Sequence, residues 1–300
     1  MNNSIPHLGE MAAIGASLIW SMAVILFKKS GEQMHPISLN LFKDIIALLL
    51  LLPTLWIFGE TLLPKEPAGN YLIFLLSGAL GIGLGDTFFF KCLNLIGAGL
   101  YAIIGCLYIP IIITLSISYL GETLSFIQVI GIIMIVAAVP IATIGGAGDK
   151  KSISRRNLWW GIFWGVMGMI VGAISITLAK RPLEHSPLLW ATATRLLGGI
   201  ITLGIILIFY PERRKILAPR ISRGGWFYTI GGSFAGAYLS MILWLMAMQL
   251  TKASITSAIT QTSNVFIFLF AAFLLREPIN LRRIIGIILA VGGTFLVTFG

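Results

Sequence analysis

The stretch that decides the fold is Tyr119-Leu-Gly-Glu-Thr-Leu-Ser125, followed by Val129-Ile-Gly-Ile-Ile133. The pattern returns 155 residues later as Leu274-Leu-Arg-Glu-Pro-Ile-Asn280, followed by Ile284-Ile-Gly-Ile-Ile288. A repeat over half the length of a chain indicates two structural units of similar fold. The sequence therefore predicts two halves, residues 1–148 and 157–300.

A weaker echo supports the same division. Lys29 with His35-Pro36 resembles Lys180 with His185-Ser-Pro187, about 151 residues further on. The intervening segment, residues 149–156, is polar and basic, as a connector between two units would be.

The composition places this chain in a membrane. Hydrophobic residues make up 57% of it, charged residues only 11%, and the mean hydropathy is +0.96. A soluble domain carries about 25% charged residues, so soluble, disordered, collagenous and disulfide-rich proteins are all excluded. The net charge of +10 lies nearly all in short connectors, which is typical of the positive loops of a multi-pass membrane protein and not of nucleic-acid binding.

Ten apolar segments are long enough to cross a bilayer, which takes about 20 helical residues. An odd number of spans per half makes the second half cross in the opposite sense, so the sequence predicts an all-α integral membrane protein of two inverted five-helix repeats. The predicted spans are residues 10–29, 36–58, 71–93, 97–119, 126–146, 158–179, 187–210, 225–248, 253–275 and 283–300.

Ten helices in two similar halves resemble the drug/metabolite transporter superfamily, specifically its EamA-type transporters. The segment Gly85-Asp-Thr-Phe-Phe-Phe-Lys-Cys-Leu93 resembles part of that family's third helix, and Gly121-Glu-Thr123 and Arg276-Glu-Pro278 are similar to its repeated glutamate turn. Lys43 and Arg195 are similar to its cation early in helices two and seven, although Lys stands where Arg is frequent. The resemblance implies a central cavity lined by helices one to four and six to nine, with helices five and ten outside as scaffold.

Charges inside the spans are the first candidates for function. Lys43 and Arg195 are predicted to face substrate, and Asn40 shares a helical face with Lys43 and Asp44. Either cation could instead only neutralise a neighbouring carboxylate. Asp44 and Asp86 are candidates for carrying a coupled proton, because a carboxylate within a span needs a wet cavity or a cationic partner. For Asp86, a fixed pair with Lys43 or Lys91 is the alternative.

Polar and aromatic side chains in the spans are the second group of candidates. The ninth span holds Thr260, Gln261 and Asn264, which could hydrogen-bond a ligand or simply join helices. Aromatic side chains could stack on a substrate, although aromatics in spans are more often core or interfacial anchors. These candidates for substrate contact are Trp20, Tyr101, Tyr108, Trp190, Tyr238 and Trp244.

Glu122 and Glu277 are predicted to be structural, each capping the turn that follows it. The sequence predicts no metal site and no cofactor, because the three histidines stand singly and Cys92 and Cys106 both fall in apolar segments. No cluster of nucleophile, base or metal ligands indicates an enzyme.

The hypothesis from sequence is a secondary active transporter that exports a small metabolite, such as an amino acid or related compound, across the cytoplasmic membrane. Drug or organic-cation efflux, lipid flipping and uptake on the same fold are the alternatives. The expected partners are a small-molecule substrate and the lipid bilayer, with proton coupling as a further hypothesis. Monomer and homodimer both stay open, as does the orientation of the termini.

Overall fold

The structure, a computed structural model, describes residues 7–112, 114, 125–143, 153–211, 213–219, 221–251 and 253–299. The regular elements in these ranges are all helical. In chain order the helices are α1 Leu8–Gly31, α2 Pro36–Ile57, α3 Ala68–Gly78, α4 Asp86–Gly105, α5 Phe126–Thr143, α6 Arg155–Leu183, α7 Leu188–Phe209, α8 Arg213–Leu217, α9 Arg223–Gly232, α10 Met241–Leu250, α11 Ala253–Thr260, α12 Thr262–Leu274 and α13 Leu281–Phe299.

Two π-helical segments interrupt this order. Segment π1, Ala79–Gly85, joins α3 to α4, and segment π2, Ser233–Ser240, joins α9 to α10. They lie 155 residues apart, the spacing of the sequence repeat, except that π2 begins one residue earlier, at Ser233. Single-turn π segments are rare and occur frequently at functional sites.

Nine helices of the described ranges are long and apolar enough to cross a membrane, where the sequence analysis counted ten spans. The counts differ because the third predicted span and the start of the fourth, residues 97–105, fall within one helical segment of 38 residues, Ala68–Gly105, and the rest of the fourth span is only partly described. Gly97 interrupts that segment with φ 83° and ψ 174°, a conformation outside the helical region. A Cβ on Gly97 would lie 2.7 Å from Oε1 of Glu277, so both the backbone angle and the available space require glycine there.

Local sequence explains where several helices begin. Pro36 occupies the first turn of α2, where its missing N–H costs nothing. The Ser154 and Ser222 hydroxyl oxygens cap α6 and α9, accepting hydrogen bonds from the N–H of Asn157 at 3.2 Å and of Gly225 at 3.1 Å.

Helices α5 and α13 pack against each other along their lengths. Gly131 meets Gly293, and Ala138 meets Gly286, so the residue numbers rise along one helix as they fall along the other. The two helices are therefore antiparallel. Glycine allows this close approach, since a Cβ on Gly131 would lie 2.6 Å from the carbonyl oxygen of Gly293.

Large apolar side chains cover much of the outer surface. Trp56, Phe126 and Phe209 are each about four-fifths exposed, at 83%, 79% and 80%. Monomeric soluble proteins rarely present such extended apolar surface, whereas hydrocarbon chains of lipid match it. The outer face of the bundle thus fits a bilayer.

Candidate functional site

A cavity of about 260 Å³ lies between elements of the two predicted halves. The first half contributes α1, π1, α4 and Tyr108, and the second contributes α6, α7, π2, α10, α11 and α12. None of the described residues of α2, α5 or α13 lines it. The outer position of α5 and α13 agrees with the expectation from the family resemblance, whereas α2 stands behind the cavity wall.

The cavity wall brings together many of the residues that the sequence analysis selected. These side chains come from distant parts of the chain, so only the fold makes them neighbours. They are Trp20, Asp86, Tyr101, Tyr108, Arg195, Trp244, Thr260, Gln261 and Asn264.

Asp86 is the carboxylate of the cavity wall. Its side chain is 25% exposed, and it forms an ion pair with Lys43 of α2, which is itself 3% exposed. Lys43 also pairs with Asp44, whose Oδ1 lies 2.9 Å from the Lys43 Nζ. Two carboxylates thus share one ammonium group, with Asp86 at the cavity and Asp44 fully buried behind it.

Asp44 is the less satisfied of the two acids. Neither of its oxygens accepts a hydrogen bond of good geometry from the described residues, although the ion pair with Lys43 is close. A buried carboxylate of this kind is costly unless its charge is compensated. The ion pair with Lys43 supplies that compensation.

Asn40 holds π1 in place and does not line the cavity. Its Nδ2 donates to the carbonyl oxygens of Ile82 at 2.8 Å and Gly83 at 3.1 Å and to the Thr87 hydroxyl at 3.0 Å. A π segment breaks the regular α-helical hydrogen bonding, and Asn40 supplies donors to carbonyls there. The predicted substrate contact at Asn40 is therefore replaced by a role in positioning the segment that ends just before Asp86.

Trp190 and Tyr238 also lie outside the cavity wall. Trp190 is fully buried, and its ring packs edge-on against Tyr71 and Phe74 at centroid distances of 4.7 and 5.3 Å. The Tyr238 hydroxyl bonds the Thr54 hydroxyl at 2.6 Å. Both predicted substrate contacts are helix-packing residues here, because their side chains point between helices.

Arg195 differs from the other buried charges. It is 3% exposed, it lines the cavity, and no carboxylate of the described residues lies within 4.0 Å of it. Its Nε and Nη1 have no hydrogen-bond partner among those residues, and Nη2 has only a long contact of 3.5 Å with the Ser175 hydroxyl. The guanidinium carbon lies 5.7 Å from the centre of the Trp244 ring. Within the described part of the chain, Arg195 is thus a buried cation with no carboxylate in ion-pair contact.

The polar residues of α11 and α12 play mixed roles. Gln261 and Asn264 line the cavity, and the Asn264 Nδ2 donates to the Gln261 Oε1 and to the Cys106 Sγ. The Thr260 hydroxyl is occupied within its helix by the Thr256 carbonyl at 2.9 Å. Helix joining occurs on this face as well, where the Ser21 hydroxyl donates to the Ser263 carbonyl at 3.1 Å.

Several glycines belong to the cavity wall. Gly81 and Gly85 of π1, Gly168 and Gly172 of α6, and Gly236 of π2 all line the cavity. A Cβ on Gly172 would meet no atom within 4 Å, so this position opens onto free space. Sequence alone does not separate packed glycines from glycines that make room for a ligand.

Glu277 is structural, as expected, but it caps a different element from the one predicted. Its carboxylate accepts hydrogen bonds from the backbone N–H of Ala98 at 2.8 Å and of Gly99 at 2.9 Å. These donors begin the helix that follows Gly97, so the second half caps a helix of the first half. Glu122 lies outside the described residues.

A helical bundle with an apolar outer face and a charged cavity fits a membrane transporter, and comparison with known proteins agrees. The EamA-like transporter family matches residues 7–144 and 159–299. The chain belongs to the EamA-like transporter family. Membership of this family indicates a multi-pass membrane transporter rather than an enzyme.

Relatives of this EamA-like chain carry transporter names without a substrate. An uncharacterized transporter of Archaeoglobus fulgidus is 23% identical over 278 residues, covering 92% of this chain and 93% of its own length. One from Methanothermobacter thermautotrophicus is 25% identical, covering 96% and 85%. The uncharacterized transporter YetK of Bacillus subtilis is 30% identical over 43% of this chain and 37% of its own.

A solved crystal structure has the same fold as this EamA-like chain. The two agree with a TM-score of 0.70 at 16% identity, covering 96% of this chain and 95% of the other.

Proposed function

We propose that this protein is a secondary active transporter that exports a small metabolite, an amino acid or related compound, across the cytoplasmic membrane by alternating access. The observation that carries the proposal is the cavity of about 260 Å³ whose wall comes from both halves and holds Asp86 and Arg195. A cavity with buried charges between two units suits a substrate site that opens alternately as the units rock.

Ten spans in two inverted halves are part of the proposal. Gly131 and Gly286 are equivalent in the repeat, as are Ala138 and Gly293, at the offset of 155 residues. The contact of Gly131 with Gly293 becomes the contact of Gly286 with Ala138 when the halves are exchanged, and both contacts exist. This exchange supports a two-fold relation between α5 and α13.

A second pair of contacts has the same relation. A Cβ on Gly9 would lie 1.8 Å from the Thr251 hydroxyl oxygen, and a Cβ on Gly161 would lie 2.3 Å from Ile96 Cγ2. Thr251 follows Ile96 by 155 residues, and Gly161 follows Gly9 by 152. The packing of α1 against the end of α10 therefore recurs where α6 packs against Ile96 of α4. This recurrence supports inverted repeats.

Proton coupling is the second element of the proposal, with Asp86 and Asp44 as carriers. Lys43 contacts both carboxylates, and Asp86 is the one that faces the cavity. A carboxylate that exchanges its proton with a wet cavity while its neighbour stays paired is the arrangement that proton-driven carriers need.

The experiment is an export screen in cells. Growth resistance and efflux are compared over amino acids, their toxic analogues and cationic drugs, with wild type and Arg195→Ala at matched membrane levels. Export of one compound class by wild type and its loss in the variant are expected. Export of nothing in the panel, with uptake or lipid transfer in its place, contradicts the proposal.

A further inference from the structure

The buried charges of the two halves are unequal, and the difference lies at the cavity. In the first half Lys43 meets Asp86. The offset of 152 residues that relates Gly9 to Gly161 also relates Lys43 to Arg195. The offset of 155 residues relates Asp86 to Met241. The second half thus has the cation of the pair but a thioether where the first half has the carboxylate.

Arg195 and Met241 both line the cavity, as does Asp86, the counterpart of Met241. Asp86 has an ion-pair partner in Lys43, which it shares with Asp44. Arg195 has two nitrogen atoms without partners and no carboxylate within 4.0 Å among the described residues. A buried cation in a low dielectric environment attracts an anion strongly, and a carboxylate is the group whose geometry a guanidinium fits.

The rest of the wall is mostly apolar and aromatic. Trp20, Phe89, Tyr101, Tyr108 and Trp244 surround the space, and Trp20 and Phe89 are in ring contact at 5.7 Å. Such a wall suits a flat or apolar body. The cavity volume of about 260 Å³ limits that body to a small molecule.

We infer that the substrate is a small organic carboxylate with an aromatic or apolar body. Its carboxylate binds Arg195 and takes the place of the carboxylate that the second half lacks at Met241. The inference requires only the carboxylate of the ligand, since Arg195 is the cavity charge that has no ion-pair partner among the described residues. The inference rests on the proposed function, since it names the substrate class of the same cavity.

Met241→Asp tests the inference directly because it supplies the missing carboxylate from the protein itself. The internal acid would pair with Arg195 and compete with the ligand's carboxylate. Met241→Asn is the matched control, with nearly the same size and no charge. Both variants keep Arg195, so the test does not depend on whether the protein folds without that buried side chain.

Binding is measured by equilibrium dialysis of radiolabelled 3-phenylpropionate against the detergent-solubilised protein, with protein-free micelles as the blank. Competitors of the same skeleton are 3-phenylpropionamide, 3-phenylpropylamine and phenylalanine. We expect the amide and the amine to compete about tenfold more weakly or worse than unlabelled 3-phenylpropionate. Met241→Asp should lose about tenfold or more in affinity relative to Met241→Asn.

Thermal unfolding gives a readout that does not depend on the ligand. A new pair with Arg195 should raise the Tm of Met241→Asp above that of Met241→Asn, by roughly 2 °C or more for a chain of this size. An equal or lower Tm, together with equal affinity of the two variants, overturns the assignment of the anion to Arg195.

The remaining outcomes separate the inference from the proposed function. Binding of phenylalanine without binding of 3-phenylpropionate shows that the amino group is required and overturns the inference that a carboxylate is enough, while a transporter of amino acids stands. Equal competition by the amide overturns it as well. If the panel does not bind and the export screen moves no compound, the proposed function fails together with the inference; an exported compound that lacks an anionic group overturns the inference alone.

Discussion

Gly131 of α5 and Gly293 of α13 pack backbone against backbone, so that a Cβ on either would lie 2.6 Å from the carbonyl oxygen of the other. No side chain fits there without moving a helix. Gly131→Ala should therefore lower the free energy of unfolding by about 1–3 kcal/mol through overpacking. Gly292→Ala is the control, since its Cβ would lie an ordinary 3.5 Å from the Met134 Cε. Thermal unfolding in detergent compares the two, and equal Tm values would refute the close helix contact.

Glu277 ties the end of the second half to the first half through the N–H groups of Ala98 and Gly99. Glu277→Ala should cost about 1–2 kcal/mol of stability, because two backbone donors lose their acceptor. Glu184→Ala is the comparison, since Glu184 makes only a partly exposed pair with Lys180 on its own helix. Denaturant unfolding of both variants checks this. A Glu277→Ala protein as stable as Glu184→Ala would show that the cap contributes nothing.

Gly172 opens onto the cavity with no atom within 4 Å of a Cβ built there. Gly172→Val should therefore fold normally and reduce the room for substrate, lowering affinity for larger substrates by about tenfold while sparing the smallest. Gly204→Val is the matched control, because Gly204 also has free space around it but does not line the cavity. A substrate-size series identifies the effect. If the two variants behave alike, the cavity is not where substrate binds.

Asp44 and Asp86 share Lys43, and proton coupling through them predicts a specific defect. Asp86→Asn should retain exchange of substrate across proteoliposome membranes but lose the acceleration that an imposed pH gradient gives. Asp44→Asn should lose the same acceleration, since Lys43 would then stay with Asp86. Glu184→Gln is the charge-removal control outside the cavity. Unchanged responses to the gradient in both Asp variants would exclude these residues as the proton carriers.

The helical membrane class followed from composition, since no arrangement other than apolar helices suits this mean hydropathy. The repeat at Glu122 and Glu277 also located both last helices, α5 and α13, through the apolar segments that follow it. The start of α2 at Pro36 could be predicted because the effect of proline on the backbone is local. The boundary between the third and fourth predicted spans was placed just before Gly97, but the φ of 83° at Gly97 and its contact with Glu277 depend on another part of the chain.

The residues that line the cavity were predicted less completely, because they depend on which face of each helix is directed toward the cavity. Arg195 and Asp86 could be chosen from their charge alone, since intramembrane charges need partners or water. Trp190 could not be distinguished from Trp244, since only packing decides that the first is enclosed by Tyr71 and Phe74. The π segments were missed, because no local propensity separates a π turn from an α turn in a glycine-rich apolar helix.

The central claim is that one cavity between the halves opens to each side of the membrane in turn. Ser240 lines that cavity from π2, and Ser240→Cys in a Cys92→Ser, Cys106→Ser background gives a single reporter thiol. The thiol is labelled with an impermeant maleimide in right-side-out and in inside-out vesicles. The account predicts labelling from both sides, with no passage of the reagent through the protein. Labelling from one side only under every condition, or leakage of reagent to the other side, would contradict it.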